Sequence, residues 1–244
     1  MKMITVVVPT YNEEKNIEYC LRALANQNIP RDSYEIIVVD GNSKDRTTEI
    51  AARYADRVIQ QLSPGVGGAR NDGVRAAKGD IIATTDADCL PDENWLQTII
   101  DDFKDNEKVA VTGYLDPMIP KEMKKLKAGT YRYAFKVANG LRKAGSFVGY
   151  HHLCGANTAF RRKAFLEVKG YSDLAYSDDV EIGKRLKEHG KMAMNNRIQV
   201  DYSIRRIQKL GIHKYTWMIL KNDFHVMILG AKPTKGDYAK QDYD

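Results

Sequence analysis

Cysteine is scarce in this chain, acidic residues are outnumbered, and no apolar run is long enough to cross a bilayer unbroken. The three cysteines, Cys20, Cys89 and Cys154, are widely spaced and odd in number. That argues against a disulfide framework and for small buried thiols in a reducing compartment. Trp217 to Leu229 is apolar on one stripe but carries Lys221, Asn222 and Asp223, which excludes a conventional spanning helix. Met1-Lys2-Met3 leads straight into a strand pattern, so no secretion leader is expected. Internal repeats and low-complexity segments are missing too. What is present is ordinary globular composition, 43% hydrophobic and 29% charged, which excludes disorder as the main state. The 244 residues suffice for one large α/β domain or one domain with appendages. The 38 Lys and Arg against 32 Asp and Glu give +6, favouring anionic partners such as nucleotides or phospholipid surfaces.

The first half alternates strand and helix. Met3 to Val8 is a β-branched run stopped by Pro9, followed by a helical stripe of Ile17, Leu21 and Leu24 between Glu13 and Gln27. Tyr34 to Val39 forms a second strand ending at Asp40, after which Ser43 or Asp45 is placed to cap a helix toward Tyr54. Arg57 to Gln60 is a third strand. A glycine-opened helix from Gly65 to Lys78 leads into the strand Asp80 to Thr85, a helix begins at Asp92-Glu93, and Val109 to Gly113 is a further strand. Strands apolar on both faces and alternating with helices predict a mostly parallel sheet covered on each side. Ligands of such sheets bind beyond the carboxyl ends of the strands. Pro9 and Tyr11, Asp40, and Asp86 to Asp88 all fall there.

The strand Asp80 to Thr85 runs into Asp86-Ala87-Asp88. Residues two apart on a strand project to one side, and two carboxylates held that close repel unless a cation lies between them. Mg²⁺ and Mn²⁺ prefer such oxygen ligands, and the phosphates of a diphosphate substrate complete the shell. Read alone, so short a motif also fits a solvated acidic turn. Past about Tyr114 the rhythm changes. Lys121 to Lys143 is a basic amphipathic helix with Leu126, Tyr133, Ala134, Val137 and Leu141 at helical spacing, Lys124, Lys125, Lys127, Arg132, Lys136, Arg142 and Lys143 around them, and interruptions at Gly129 and Gly140. Such a stretch suits a phospholipid surface or a lipid-linked phosphate, and equally a plain solvated face. Asn157 to Phe160 is a short strand, Asp178 to His189 a helix, and the segment after Ala231 a polar tail.

With those residues in place, the chain resembles the family 2 glycosyltransferases of the GT-A fold. The resemblance rests on Val6 to Glu13, Val38 to Thr47, Gly68-Ala69-Arg70-Asn71-Asp72-Gly73, Asp86-Ala87-Asp88, Gly155-Ala156-Asn157 and Ser177 to Glu181, in family order across roughly residues 3 to 190. It implies an α/β GT-A domain, with a single Rossmann-like, mostly parallel central sheet flanked by helices and a C-terminal acceptor-side region. It divides the chain into a nucleotide-sugar-binding half (1–113), an acceptor-side half (114–230) and the tail (231–244). The implied activity is metal-dependent, inverting transfer from a UDP- or GDP-linked sugar to a carbohydrate hydroxyl or lipid-linked acceptor.

The resemblance also implies roles. Pro9, Tyr11, Glu13 and Asp40 would hold base and ribose, and Arg70 and Asn71, at a helix N-terminus behind Gly65, Gly67 and Gly68, would face the donor. Asp88 would ligate Mn²⁺ or Mg²⁺, with Asp86 nearer the ribose or a ligand water. Asp179 is the expected catalytic base, with Asp178 and Glu181 as competitors. Gly155, Ala156, Asn157 and Asp178 would line the donor-sugar or acceptor side. His213 and His225 are the candidates for a third metal ligand. The Gln-x-x-Arg-Trp string of polymerising members is missing, and Leu90 stands where polyprenyl-phosphate mannose synthases often carry Gln. The alternatives are a non-catalytic nucleotide-binding module and a sugar-nucleotide nucleotidyltransferase, although the loop after the first strand lacks the glycine and arginine of the latter. The expected setting is cytoplasmic, with peripheral contact at the inner membrane face and no nucleic-acid partner.

Overall fold

The structure is a computed structural model that describes residues 4–147, 149, 152–174 and 177–226. The tail after Ala231, the start of the first strand at Met3 and the end of the Trp217–Leu229 stretch lie outside the described residues. Strands β1 (Ile4–Thr10) and β2 (Tyr34–Asp40) are buried at every position, as their unbroken apolar runs require, and pair in parallel. Helix α1 (Ile17–Ala25) joins them, and α2 (Thr47–Ala51) leads to β3 (Arg57–Gln60), parallel to β2. Helix α3 (Gly65–Ala76) then crosses to β4 (Ile81–Thr84), parallel to β1 on its other side.

Pro9 does not stop β1. It sits within the strand opposite Val39, where β4 has already ended beside Val7, so its missing N–H interrupts no ladder bond to β4. Helix α3 lies close over β1 because of Gly73: a Cβ there would meet Val7 Cγ1 at 2.3 Å.

The second half differs from a simple alternating plan. After β5 (Leu90–Pro91) and α4 (Trp95–Asp102) come β6 (Lys108–Met118), the long helix α5 (Lys125–Phe147), β7 (Thr158–Arg161), α6 (Arg162–Glu167) and α7 (Asp178–Leu186). Then follow β8 (Lys191–Ser203), α8 (Arg205–Leu210) and α9 (Ile212–Phe224). The eight strands form one sheet in the order β3-β2-β1-β4-β7-β6-β8-β5. Strand β7 is antiparallel to both β4 and β6, and β5 to β8, so the parallel character belongs to the β3-β2-β1-β4 portion and to the β6–β8 pair. Two cores cover the sheet, one built on Ile17, Leu21, Trp95 and Leu96, the other on Phe160, Phe165, Ile182 and Leu186.

Candidate active site

The loops after β1 and β2 are locked to each other by their own polar side chains. Asn12 and Asn42 take positive φ, +50° and +73°, which Asn tolerates better than most residues. The Asn12 N–H donates to Ser43 Oγ (2.9 Å), the Lys44 N–H to Asn12 Oδ1 (2.8 Å) and the Glu13 N–H to Thr47 Oγ1 (2.7 Å). Asp40 accepts from the N–H groups of Asn42 and Ser43, both at 3.0 Å, and from Ser43 Oγ at 2.5 Å. Its carboxylate therefore shapes the loop it ends. Tyr11 follows β1 directly, with its Cβ against Gly41.

Asp86 and Asp88 lie just past the end of β4, each gripped by a different arginine. Arg70 Nη2 donates to Asp86 Oδ1 at 2.7 Å. Arg205 Nη2 donates to Asp88 Oδ2 at 2.9 Å and also to Glu13, at 2.7 and 2.9 Å. Burial pushes the Asp86 carboxyl above its ordinary range, with Arg70 pulling it back. Burial and the charge of Asp88 push Glu13 up in the same way, against Arg205.

Beneath this pair lies a second one. Helix α7 opens with Asp178 and Asp179, after Ser177 in the left-handed region at φ +56°. Asp179 Oδ2 accepts the Gly155 N–H at 2.9 Å, and Asp178 Oδ1 accepts the Asp179 N–H at 3.1 Å. Burial, followed by the charge of Asp179, pushes Asp178 up to about 7. Burial also raises Asp179, while Arg70 and the Gly155 N–H work in the opposite sense. Asp178 Oδ2 is buried without a hydrogen-bond partner among the described residues, a costly arrangement unless something else satisfies it, while the Tyr171 hydroxyl lies against Asp179 and favours its charged form.

Arg70 ties the two pairs together. Its side chain is 4% exposed, with the guanidinium 5.7 Å from the centre of the Tyr171 ring and charged toward Asp86, Asp179 and Asp178. Gly155 makes room for it: a Cβ there would meet the guanidinium carbon at 2.3 Å. Gly67, in the first turn of α3, similarly admits Asp178 Oδ2, which an added Cβ would meet at 2.7 Å.

Several residues expected to touch the donor are buried, their polar groups engaged within the protein. Arg70 is buried among carboxylates, and Asn71 pins the Tyr171 backbone, donating to its carbonyl at 2.9 Å and accepting its N–H at 2.8 Å. Asn157 is fully buried, accepting from Trp95 Nε1 (2.8 Å) and donating to the carbonyls of Tyr114 (2.8 Å) and Ile198 (3.2 Å). Ala156 belongs to the core. Glu181, a competitor for the base, is paired with Arg185 and accepts from Ser172 Oγ. Arg205 is the residue that sequence reasoning missed.

The residues fit a divalent cation. Among the described residues, ligand atoms of Asp86, Asp88 and Cys89 lie within 4.8 Å of one another. The two carboxylates are hard oxygen donors of the kind Mg²⁺ and Mn²⁺ take. Burial holds the Cys89 thiol well above its usual range, so it stays protonated and offers such an ion little. Neither expected histidine joins the set: His213 is exposed on α9, and His225 Nδ1 faces the Lys221 carbonyl one turn back at 2.8 Å. Five carboxylates, Glu13, Asp86, Asp88, Asp178 and Asp179, face the guanidinium groups of Arg70 and Arg205, with Arg142 also acting on Asp179, and a metal would offset the remaining negative charge.

This sheet, with one acidic pair past β4 and another opening α7, defines a GT-A glycosyltransferase core. Comparison with known proteins agrees. Residues 5–169 match the model of Glycosyl transferase family 2, and the chain belongs to that family. It is similar to Glycosyltransferase AglE of Haloferax volcanii, with 37% identity over 103 residues, 40% of this chain and 34% of that protein. It is also similar to a dolichyl N-acetyl-α-D-glucosaminyl phosphate 3-β-D-2,3-diacetamido-2,3-dideoxy-β-D-glucuronosyltransferase of Methanococcus voltae, with 29% identity over 139 residues, 50% of this chain and 42% of that protein. Among solved structures, the mannosyltransferase PcManGT of Pyrobaculum calidifontis, in complex with GDP-Man and Mn²⁺, matches with a TM-score of 0.65. Identity is 22%, and the match covers 90% of this chain and 64% of that one. The matched stretches thus span less than half of each of the two curated relatives.

Proposed function

We propose that this chain is an inverting glycosyltransferase that moves a sugar from a GDP- or UDP-linked donor to an acceptor hydroxyl or lipid phosphate, with Mn²⁺ or Mg²⁺ as cofactor. The observation that carries this reading is the Arg70-centred stack, in which the acidic pair at the strand end and the acidic pair opening α7 act on one buried guanidinium. Family membership and the GDP-Man and Mn²⁺ held by PcManGT support it, and the dolichyl N-acetyl-α-D-glucosaminyl phosphate in the name of the Methanococcus enzyme supports a lipid-linked acceptor here.

In this reading the 11–14 and 40–47 loops seat the nucleoside, with Pro9, Tyr11, Glu13 and Asp40 shaping that seat. Asp88, with Asp86 beside it, would hold the cation, which when bound offsets charge on the departing nucleoside diphosphate. Arg205 fixes Asp88 and Glu13 relative to each other. Asp179 takes the proton of the acceptor hydroxyl as its oxygen bonds to the anomeric carbon. The bond from that carbon to the phosphate oxygen breaks on the opposite face, so the configuration inverts. For a phosphate acceptor, already ionised, the same residue orients the attacking oxygen. Burial raises the pKa of Asp179, which suits a proton acceptor, while Arg70 and the Gly155 N–H oppose that rise; burial and the charge of Asp179 push Asp178 up to about 7.

A screen of GDP- and UDP-linked sugars with Mn²⁺ tests this, reading nucleoside diphosphate release and the anomeric configuration of the product. One donor is expected to turn over with inversion, and Asp179→Asn to lower the turnover number by about a thousand-fold while donor affinity is kept. Full turnover in that variant, or a product of retained configuration, removes Asp179 from the role of base.

A further inference from the structure

Helix α5 has two apolar faces, and only one of them packs. Ala128, Tyr131 and Asn139 are buried toward the body, where Tyr131 and Phe135 meet Ile204, Ile207, Ile212 and Tyr215 of the α8–α9 region. Leu126, Tyr133, Val137 and Leu141 lie on the opposite face at helical spacing, with Leu126 88% and Leu141 67% exposed. Helix α9, joined to the α5 region through that cluster, repeats the arrangement: Trp217, Leu220 and Phe224 are exposed opposite Ile212 and Tyr215. Scattered apolar residues on a surface need no explanation, but two stripes on neighbouring helices mark an interaction surface.

Charge selects the partner. Helix α5 contains no acidic residue, and Lys124, Lys125 and Lys127 surround Leu126 in full exposure. Lys214 and Lys221 are exposed on α9, whose single acid, Asp223, is turned inward to accept from Ser177 Oγ at 2.6 Å. No helix among the described residues is long and apolar enough to cross a membrane. An apolar stripe flanked by lysines, on helices too polar to insert, is the pattern of a helix lying in the plane of an interface with anionic lipid.

We propose that the outward faces of α5 and α9 dock this protein on an anionic lipid bilayer. The same Ser177–Asp223 bond ties α9 to the residue preceding Asp178 and Asp179, so docking would hold the acidic pair at a fixed distance from the lipid surface. The inference is independent of sugar transfer, because it concerns a surface and not the cleft.

The test is co-sedimentation with vesicles of phosphatidylcholine alone and of phosphatidylcholine mixed with phosphatidylglycerol, without nucleotide sugar. The wild type is expected to bind the mixed vesicles in a salt-sensitive way and the neutral ones weakly. Trp217 emission should shift to the blue on binding, while Trp95, fully buried, should not respond. Leu126→Ser with Leu141→Ser should weaken binding about ten-fold or more, and reversal of Lys124, Lys125 or Lys127 to Glu about five-fold or more each. Failure to bind mixed vesicles, or equal binding by these variants, overturns the proposal. So does wild-type dimerisation in sedimentation velocity that the same leucine variants abolish, since a second copy would then cover the stripe. Loss of vesicle binding with sugar transfer intact leaves the transfer reading standing, and the converse separates them the other way.

Discussion

The two acidic pairs are built on opposite plans. Asp86 and Asp88 lie at the cleft, partly exposed, and each accepts a direct hydrogen bond from a different arginine. Asp178 is buried and Asp179 partly so, both share Arg70 with Asp86, and Asp178 keeps one oxygen without a hydrogen-bond partner among the described residues. A carboxylate gripped by a guanidinium at the cleft has a partner it can trade for a metal. A buried pair with too little positive charge is poised to hold and release a proton near neutrality. The contrast teaches that the same residue type, in doublets of similar sequence appearance, is tuned for two tasks by what surrounds it.

The sharpest way to break the comparison is to remove the group both pairs use. Arg70→Gln leaves Asp86, Asp178 and Asp179 without their buried cation and should cost about 3–5 kcal/mol, read as a fall of about 10 °C in the melting temperature. Arg70→Lys keeps the charge without the fork and should recover only part of it. If Arg70→Gln melts like the wild type, the buried pair is compensated elsewhere.

A smaller change sharpens the difference between the pairs. The folded-state pKa of Asp178 lies above its unfolded value, so its contribution is most favourable at low pH and is lost as pH rises toward about 7. Asp178→Asn keeps an oxygen to accept the Asp179 N–H but removes the ionisation. It should therefore stabilise the protein most at and above neutral pH, by about 1 kcal/mol or more, and least near pH 5. Melting curves across that range check this, and a pH-independent difference would show that Asp178 does not titrate in the folded protein.

Much of the first half was legible because each strand carries its own signal. The runs at β1, β2 and β4 are apolar on both faces, and the acids that end β2 and β4 fall where a parallel sheet places ligands. Strand β8 was not read, although Ile198 and Val200 are buried in alternation with exposed Gln199 and Asp201, because Asn195-Asn196-Arg197 interrupts the pattern. Strand β6 runs past Gly113 to Met118 through Pro117, and register shifts against β8 between Lys108 and Ala110 and between Thr112 and Tyr114 spoil the period. Long-range partners were beyond reach for a different reason. Arg205 lies 192 residues from Glu13 and 117 from Asp88, and nothing local marks it out from Arg206 beside it. Arg70 and Asn71 were placed at the right helix end, yet which way each side chain turns depends on Gly155, Gly170 and Tyr171, all of them far along the chain.

Calorimetric titration of GDP and UDP into the protein, with and without Mn²⁺, tests most directly whether the cleft pair holds a cation against a diphosphate. The account predicts that one nucleotide binds at least ten-fold more tightly with Mn²⁺ and that Asp88→Ala erases this gain. Equal affinity with and without the ion, in wild type and variant alike, would contradict it.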